Sequence, residues 1–454
     1  MKLISPQIQP PLDSVYRPAV LANHAFQRKC AENGIPLIIG LERSGDNFTR
    51  FETKILPDNH PDNLEYIERI VKFLLWQRGG FRLYIAGSQQ VGEHIRKVYA
   101  QGGKRKFDYK FMGEKVYERD FEVIICDVDE MPASHETGKL LGGYLQGARI
   151  GFDLGASDRK VSAVVDGEVI YSEEVVWEPR KHSDPTYHAG EIKKALETAA
   201  SKMPRVDAIG GSSAGVYVEN RPMVASLFRA IPEENFDEIK NLFLQIRDEM
   251  GVPLEIINDG DVTALAGAMS LEDTGILGVA MGSSEAVGYV NTEGHIMGWL
   301  NELAFAPVDY SPNAPVEEWS GDIGCGATYF SQQSVFRLAP AAEIEIPEGI
   351  TDAAKLKFVQ EKLEAGHEGA SQIWQSIGVY LGYTLAHYAD FYNLKHVLIL
   401  GRCTSGHGGD LIIEGAQKVL EREFPELNFH IQLPDEKSRR VGQSIAAASL
   451  PKLN

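Results

Sequence analysis

The chain has 454 residues, of which 43% are hydrophobic and 24% are charged, and its formal net charge is −19. This length predicts roughly two to four domains, and the composition is typical of a soluble globular protein. The negative charge argues against binding to nucleic acid or to an anionic membrane, because phosphate repels such a surface. A small anionic ligand remains compatible, since backbone N–H groups bind anions locally.

The N-terminal sequence MKLISPQIQPPLDS has no long apolar core, and no apolar run reaches the length of a membrane span. We therefore expect neither a signal peptide nor a membrane partner. The cysteines are far apart and form no CxxC pair: Cys30, Cys126, Cys325 and Cys403. Free thiols in a reducing cytoplasm are the expected reading.

Residues 1–148 are predicted to form an N-terminal α/β domain. Residues 1–30 have little periodicity and are expected to form an extended surface arm. Apolar runs on both sides of Ser44-Gly45-Asp46-Asn47 predict a β-hairpin. Apolar spacing then predicts helices over 63–78 and 91–99, strands over 81–86 and 121–127 (the latter buried), and a helix over 132–146.

From Arg149 onward, strand pairs alternate with helices, which predicts α/β layers with a mixed sheet. The predicted strands are 150–154, 160–165, 169–176, 206–210, 254–257, 276–281, 286–290 and 397–400. The predicted helices are 191–200, 236–250, 262–269, 371–393 and 410–424.

The N-terminal segment IIGLERSGDNFTRFETKIL, followed by a helix and FRLYIAGS, is similar in order to GFDLGASDRKVSAVVDGEVI, a helix and DAIGGSSAG. In this comparison Glu42 stands where Asp153 stands. The N-terminal domain is then a degenerate half-repeat, or both segments share a common ββαβ order.

The first segment whose residues could form part of a functional site is Phe152-Asp153-Leu154-Gly155-Ala156-Ser157, at the end of a predicted strand. Gly155 leaves space for a phosphate near the backbone, and the Ser157 hydroxyl can donate to phosphate oxygens. Asp153 can hold a magnesium-bound water. A plain hairpin uses the same residue types, so both interpretations stay open.

The second segment is Asn258-Asp259-Gly260-Asp261, where an apolar strand runs directly into a helix. Active-site groups of α/β proteins gather at such strand ends, and a carboxylate there can accept a proton from an attacking hydroxyl. Helix capping is the alternative role, above all for Asp261.

Two further strands run into turns of small residues, Gly282-Ser283-Ser284-Glu285 and Gly401-Arg402-Cys403-Thr404. Each turn is commonplace by itself. In order and spacing, however, the four segments resemble the ROK family (repressors, unknowns and sugar kinases) of the actin/hexokinase-type ATPase superfamily. The resemblance runs from Arg149 to the end of the chain.

The resemblance implies a two-lobed, actin-like ATPase fold of the ribonuclease H-like α/β class, with residues 1–148 as an extra N-terminal α/β domain. Residues 149–270 would form the first lobe and residues 271–454 the second. It also implies ATP and Mg²⁺ as cofactors and a small sugar as the substrate. Family enzymes are often dimers, and a homodimer is compatible with this acidic chain.

Site roles follow from the same resemblance. Asp259 is expected to be the general base, and the sugar is expected to contact Asn258, Asp259 and Glu302. Asp153 is expected to hold Mg²⁺ through water. The residues expected to contact the nucleotide or its phosphates are Asp153, Gly155, Ser157, Gly282, Ser283 and Gly401.

The chain departs from the family pattern at several positions. Two glycines of the third loop are replaced, and Glu285 is expected to place a negative charge near phosphate, at a cost on the order of 1–4 kcal/mol. Phe305 stands where the family's sugar-binding motif has His. Only Cys325 lies in the region of the family's zinc cluster, and a lone Cys makes no tetrahedral site, so no structural zinc is expected.

The sequence therefore predicts ATP-dependent phosphorylation of a sugar hydroxyl by a cytoplasmic carbohydrate kinase. The departures favour an alternative, a non-catalytic sugar-binding sensor with a degenerate nucleotide site. A third reading keeps the fold and changes the phosphoryl acceptor or the chemistry at Asp259.

Overall fold

The computed structural model describes residues 1–136, 142–434 and 436–453. Contacts divide the chain into two compact units, and neither is continuous in sequence. Unit 1 contains Met1–Thr137, Val279–Val287 and Trp299–Leu433, and unit 2 contains Gly138–Gly278, Gly288–Gly298 and Pro434–Asn454. The predicted division into 1–148, 149–270 and 271–454 follows sequence order and stays a prediction.

Strands and helices alternate along the whole described chain. Residues 1–136 contain α1 (Ala19–Asn33), β1 (Ile35–Glu42), β2 (Phe48–Ile55), α2 (Asp62–Arg78), β3 (Arg82–Ala86), α3 (Gln89–Val98), α4 (Lys106–Lys110) and β4 (Glu122–Cys126). Next come β5 (Ala148–Leu154), β6 (Asp158–Val165), β7 (Glu168–Val176), α5 (Pro185–Ala200), β8 (Ala208–Ser213), β9 (Val216–Val218), β10 (Arg221–Val224), α6 (Phe236–Lys240), α7 (Leu242–Met250), β11 (Leu254–Asn258) and α8 (Asp259–Leu271). The last are β12 (Ile276–Met281), β13 (Glu285–Val290), α9 (Gln332–Leu338), α10 (Asp352–Glu364), α11 (Glu368–Ala389), β14 (His396–Leu400), α12 (His407–Glu423), β15 (His430–Gln432) and α13 (Glu436–Ala448).

The N-terminal segment of unit 1 has a four-stranded sheet in the order β2-β1-β3-β4. The predicted hairpin is confirmed, with Glu42 paired to Phe48 beside the turn. The predicted surface arm is wrong, because Tyr16 is fully buried and α1 packs its apolar residues inward. The predicted buried strand is the half-exposed edge strand β4. Residues 132–136 and 142–146 are not helical as predicted, and 137–141 lie outside the described residues.

The two segments compared as a half-repeat differ in element order, with two strands before the helix in the first and three in the second, and also in strand direction. In the N-terminal sheet β3 runs antiparallel to β1, with Glu42 opposite Arg82. In unit 2 the strand after the helix, β8, runs parallel to β5. Arg82 and Tyr84 donate hydrogen bonds to Glu42.

Unit 2 is built around a five-stranded sheet in the order β11-β8-β5-β6-β7. The strands β5, β6 and β7 form an antiparallel meander, whereas β8 and β11 run parallel to β5. The carboxyl ends of β5, β8 and β11 therefore meet at one edge of the sheet. In the register Asp153 lies opposite Ser212, and Ser213 lies opposite Asn258.

The backbone of α13 lies directly on β5 and β8. A Cβ atom at Gly151 would lie 2.1 Å from the Ser444 carbonyl oxygen, and one at Gly210 would lie 1.6 Å from the Ala447 carbonyl oxygen. The Arg149 guanidinium donates to the carbonyl oxygen of Pro451 at 2.7 Å. The two glycines are thus required by close backbone approach and not by backbone dihedral angles.

Gly210→Ala is expected to lower the free energy of unfolding by about 3 kcal/mol or more, because backbone must move to admit the new methyl group. Gly190→Ala is the matched control, since no described atom lies within 4 Å of a Cβ added there. That helical control should be neutral or more stable by about 0.5–1 kcal/mol. Urea unfolding of both variants checks the prediction, which fails if their losses are equal.

A cluster of buried charges lies inside unit 1. Asp322 accepts a hydrogen bond from Arg69 at 2.9 Å and lies 2.6 Å from an Arg105 guanidinium nitrogen. It also lies 3.5 Å from the Lys72 ammonium group, which is 3.2 Å from Asp108. The cluster links the N-terminal helices of unit 1 to the segment that follows Trp299.

Two further sheets are present in the described residues: a two-stranded sheet of β10 and β9, and a four-stranded sheet in the order β13-β12-β14-β15. Along the described parts of the chain, no helix combines the length and apolar character needed to cross a bilayer.

Candidate functional site

Asp153 lies near the carboxyl end of β5 and is held by a neighbouring strand. The Ser212 hydroxyl of β8 donates a hydrogen bond of 2.6 Å to Asp153 Oδ1. Burial raises the pKa of Asp153 above its ordinary value, while the Ser212 hydrogen bond and the charge of Lys160 oppose that rise. The result is a partly buried carboxyl group with one oxygen outside that hydrogen bond.

Asp259 is the first residue of α8, immediately after β11. The preceding Asn258 caps the helix, because its side-chain oxygen accepts from the Gly260 N–H at 2.7 Å. The Asn258 amide nitrogen donates to the Gly215 carbonyl oxygen at 2.8 Å, which fixes the strand-to-helix turn. Asp261, in the first turn of α8, accepts from the Tyr289 N–H at 3.1 Å, and its predicted alternative role at the helix N-terminus stays a prediction.

The carboxyl groups of Asp259 and Asp153 influence each other within unit 2. Burial, with the nearby charge of Asp153, raises the pKa of Asp259 to about 6. A carboxylate with this pKa is ionised at neutral pH, yet it accepts a proton more readily than an ordinary aspartate does. This is the property required of a general base.

Gly155 and Ser157 form the tight turn between β5 and β6. The Gly155 N–H donates to the Asp158 carbonyl oxygen at 2.9 Å, and the Trp177 indole donates to the Gly155 carbonyl oxygen at 2.8 Å. The exposed Ser157 hydroxyl donates to the Asp158 carboxylate at 2.9 Å. Both the hairpin reading and the predicted phosphate contacts are compatible with this turn.

In unit 1 the turns after β12 and β14 lie against each other. Gly401 has a φ of 101°, and a Cβ atom there would lie 2.4 Å from the Met281 carbonyl oxygen. The Cys403 thiol lies 3.9 Å from the Gly282 carbonyl oxygen, and Ser283 is exposed. The predicted nucleotide residues Gly282, Ser283 and Gly401 are therefore brought together.

Glu302 begins a short turn whose apolar residues pack on the N-terminal segment. Its N–H donates to the Trp76 carbonyl oxygen at 3.0 Å. Phe305, which replaces the expected His, packs its ring 4.4 Å from that of Trp76. Nearby Trp299 donates to Glu136 at 2.8 Å, and the Arg78 guanidinium covers its ring at 4.4 Å, so its contacts are those of packing.

Glu285 does not place a charge in the loop after β12, and that expectation is wrong. The side chain is 3% exposed and points into unit 1, where Tyr388 donates to it at 3.2 Å. A Cβ atom at Gly326 would lie 2.0 Å from its other carboxyl oxygen. Burial, reinforced by the charge of Glu302, raises the pKa of Glu285 to about 8, so the neutral acid prevails at pH 7.

Glu285→Gln is expected to make the stability of the fold less sensitive to a rise in pH from 4.5 to about 8. Because the folded pKa of about 8 exceeds the ordinary value of 4.5, the contribution of Glu285 is complete below pH 4.5 and is lost as pH rises through 8. The wild-type chain loses up to about 1.4 kcal/mol per pH unit in this window, and the variant avoids that loss. Urea unfolding from pH 5 to pH 9 checks the slope.

The exposed Glu293→Gln is the control for Glu285→Gln, since Glu293 has a side chain 74% exposed. Its unfolding free energy should follow the wild-type pH profile. An unchanged slope in Glu285→Gln would contradict the assignment of a buried neutral acid.

The described residues contain no group of three or more His, Cys, Asp or Glu side chains arranged to hold a metal ion. Magnesium needs no such group, because it keeps several waters and commonly takes one or two protein carboxylates. Asp153 beside Asp259 fits that requirement, since a cation would offset the two neighbouring negative charges.

Ser212 is a site residue that the sequence did not single out. Its hydroxyl contacts Asp153 only because β8 pairs in parallel with β5 in the observed register. The signal available in the sequence was the run Gly210-Gly211-Ser212-Ser213, where small residues end a strand.

No protein-family model and no curated protein matches the chain in sequence. Solved structures do share its fold. A ROK family glucokinase from Streptomyces griseus, in complex with glucose and AMPPNP, has a TM-score of 0.50 and 17% identity, covering 66% of this chain and 99% of its own.

Two further structures are similar to the same extent. The ROK hexokinase from Thermus thermophilus has a TM-score of 0.51 and 16% identity, and covers 66% of this chain and 97% of its own. Lmo2764 from Listeria monocytogenes, a putative N-acetylmannosamine kinase, has a TM-score of 0.51 and 17% identity, with the same coverage. The predicted α/β fold, shared with solved ROK sugar kinases over about two thirds of the chain, is therefore confirmed.

Proposed function

We propose that this protein is a ROK-type carbohydrate kinase that transfers the γ-phosphoryl group of ATP to a sugar hydroxyl. The observation that carries the proposal is Asp259, placed at the end of β11 beside Asp153 with a pKa of about 6. The sugar and AMPPNP bound by the Streptomyces griseus enzyme support the substrate classes.

In the proposed reaction Asp259 accepts the proton of the attacking sugar hydroxyl. The hydroxyl oxygen bonds to the γ-phosphorus, the bond from that phosphorus to the β–γ bridging oxygen breaks, and ADP leaves with that electron pair. Asp259 then releases its proton to solvent. Mg²⁺, when bound through water at Asp153, would supply positive charge to the phosphate oxygens.

Asn258 has a positioning role in this proposal. Its hydrogen bonds to Gly260 and Gly215 orient the residue that follows it. The proposal assigns the second amide hydrogen of Asn258 to a sugar hydroxyl. The roles of Glu302 in sugar binding and of Gly155, Ser157, Gly282, Ser283 and Gly401 in nucleotide binding stay predictions.

A panel of sugars incubated with the full chain, ATP and Mg²⁺ tests the proposal, with ADP release and the mass of the phosphorylated sugar as readouts. We expect turnover of at least one hexose or N-acetylated hexosamine. Sugar binding by calorimetry without any turnover would instead support the sensor. The packing of Phe305 in place of a polar histidine favours that second candidate.

A further inference from the structure

A separate cavity that opens to solvent lies at the surface of unit 1, among the N-terminal strands and helices. Its volume is about 650 Å³, and small-molecule sites commonly measure about 300–1,000 Å³. The wall is formed by α1, β1, β2, α2 and the two residues that follow α11. Its described lining includes none of the residues predicted to bind sugar or nucleotide.

One side of this cavity is apolar. Phe51 and Phe391 stack with ring centroids 5.4 Å apart and planes inclined by 19°. Leu37, Ile38 and Ile70 complete this surface. Such a wall suits the C–H face of a ring molecule, because apolar contact there removes carbon surface from water.

The lining also carries polar groups that are already hydrogen-bonded. His24 Nε2 lies 3.0 Å from both Asp390 carboxyl oxygens. Gln27 donates to the Tyr66 hydroxyl at 2.8 Å and to the Thr53 hydroxyl at 3.1 Å. These contacts hold a carboxylate and hydroxyl groups in place at the cavity wall before any ligand arrives.

Asn23 adds a buried amide that lacks a good partner. The residue lines the cavity and is 4% exposed. It lies beside Tyr310, but within the described residues neither end of the amide makes a hydrogen bond of normal geometry. An unsatisfied buried polar group is unfavourable, and a ligand with donor and acceptor groups can supply the missing hydrogen bonds.

The charges of the lining disfavour an anionic ligand. Its described acidic residues, Glu52 and Asp390, face one lysine, Lys54, and His24 is already paired with Asp390. The described lining therefore offers a phosphate group no cluster of cationic side chains. Hydroxyl groups, in contrast, can both donate to Asp390 and accept from amide groups.

We propose that this cavity binds an uncharged polyhydroxylated ring molecule, a free sugar, at a site distinct from Asp259. The apolar rings take the carbon face, and Asp390 and Asn23 take hydroxyl groups. The site is formed largely by the N-terminal segment. The proposal does not depend on whether the chain is a kinase.

Isothermal titration calorimetry of the full chain tests this site, with glucose, N-acetylmannosamine, their 6-phosphates and adenosine as probes. Ala31→Trp places a large side chain at an exposed lining position of α1 and should weaken binding of the free sugar at least tenfold. Arg28→Trp is the matched control on α1, outside the described lining, and should bind as the wild type does. Asp390→Asn should weaken binding about three- to tenfold.

Circular dichroism and unfolding midpoints establish that the variants are folded. Unchanged sugar affinity in Ala31→Trp and Asp390→Asn overturns the proposal, as does binding of adenosine or of the 6-phosphates that Ala31→Trp weakens, or no sugar binding at all. Kinase turnover is measured in parallel: loss of turnover in Asp259→Asn bears on the catalytic proposal alone. Sugar binding sensitive to Ala31→Trp bears on this cavity alone.

Discussion

Asp259→Asn is expected to lower the rate of sugar phosphorylation by about 10²–10⁴-fold, the contribution typical of a general base. Asparagine keeps the size of the side chain but cannot take the proton from the sugar hydroxyl. The coupled rate of ADP formation measures the effect at saturating sugar and ATP. Asp248→Asn, the same change at a side chain 68% exposed in unit 2, should leave the rate unchanged.

The same variant should be more stable than the wild type at neutral pH. The pKa of Asp259 in the fold, about 6, exceeds its ordinary value of 3.8, so its contribution to stability is lost as pH rises through 6. Asparagine removes this loss, and since the side chain is only half-buried we expect a gain of about 1–2 kcal/mol at pH 8. Because the loss begins near pH 3.8, urea unfolding should show a gain at pH 8 that is about twice the gain at pH 5.

Activity and stability together separate the possible outcomes. Full turnover by Asp259→Asn would contradict the role of general base. Lost turnover with lost stability would indicate a damaged fold. For the wild-type enzyme, kcat/KM should rise with pH and level off above about 6, as Asp259 becomes ionised.

Asp322→Asn is expected to lower the free energy of unfolding by about 3–5 kcal/mol, the largest loss expected from a single charge in this chain. Removal of the carboxylate leaves the buried cations Arg69, Lys72 and Arg105 with less compensating negative charge. Chemical unfolding at pH 7 measures the loss. Asp352→Asn, at a side chain 48% exposed in an i,i+3 pair with Lys355, should change stability by less than about 0.5 kcal/mol.

The pH dependence gives a second measurement of the same cluster. Burial raises the pKa of Asp322, but the three cations outweigh it and hold that pKa well below its ordinary 3.8. Its stabilising contribution is therefore present above pH 3.8 and is lost as the solution becomes more acidic than that. The difference between wild type and Asp322→Asn should shrink in acid, and a constant difference would contradict an ionic origin.

Helices and hairpins could be predicted from the sequence where neighbouring residues alone determine them. The first hairpin follows from Gly45 and Asp46, both of which adopt positive φ in the turn, and from the apolar strands beside them. The helix α1 was missed because its buried positions are mostly small residues within a polar sequence. The predicted helix 236–250 is broken at Asn241, between α6 and α7.

The candidate site could be predicted in part, because some of its residues lie in a recognisable local sequence pattern. A strand that runs into Asn258-Asp259 is visible in sequence, and the structure places Asp259 near Asp153. The direction of a side chain is not visible, and Glu285 therefore looked like a charge in the loop although it is buried under Tyr388. The N-terminal segment joins unit 1 through distant pairings such as Pro18 with Asp309, which no local pattern reveals.

The contact between α13 and the glycines of β5 and β8 has a consequence for how the chain matures during synthesis. Gly151 and Gly210 leave the ribosome long before Ser444 and Ala447, the residues that cover them. At a synthesis rate of about 5–20 residues per second, this face of the sheet stays uncovered for on the order of tens of seconds before α13 is made. Unit 2 can therefore complete its fold only after α13 has been synthesised, and until then this face of its sheet lacks the helix that covers it.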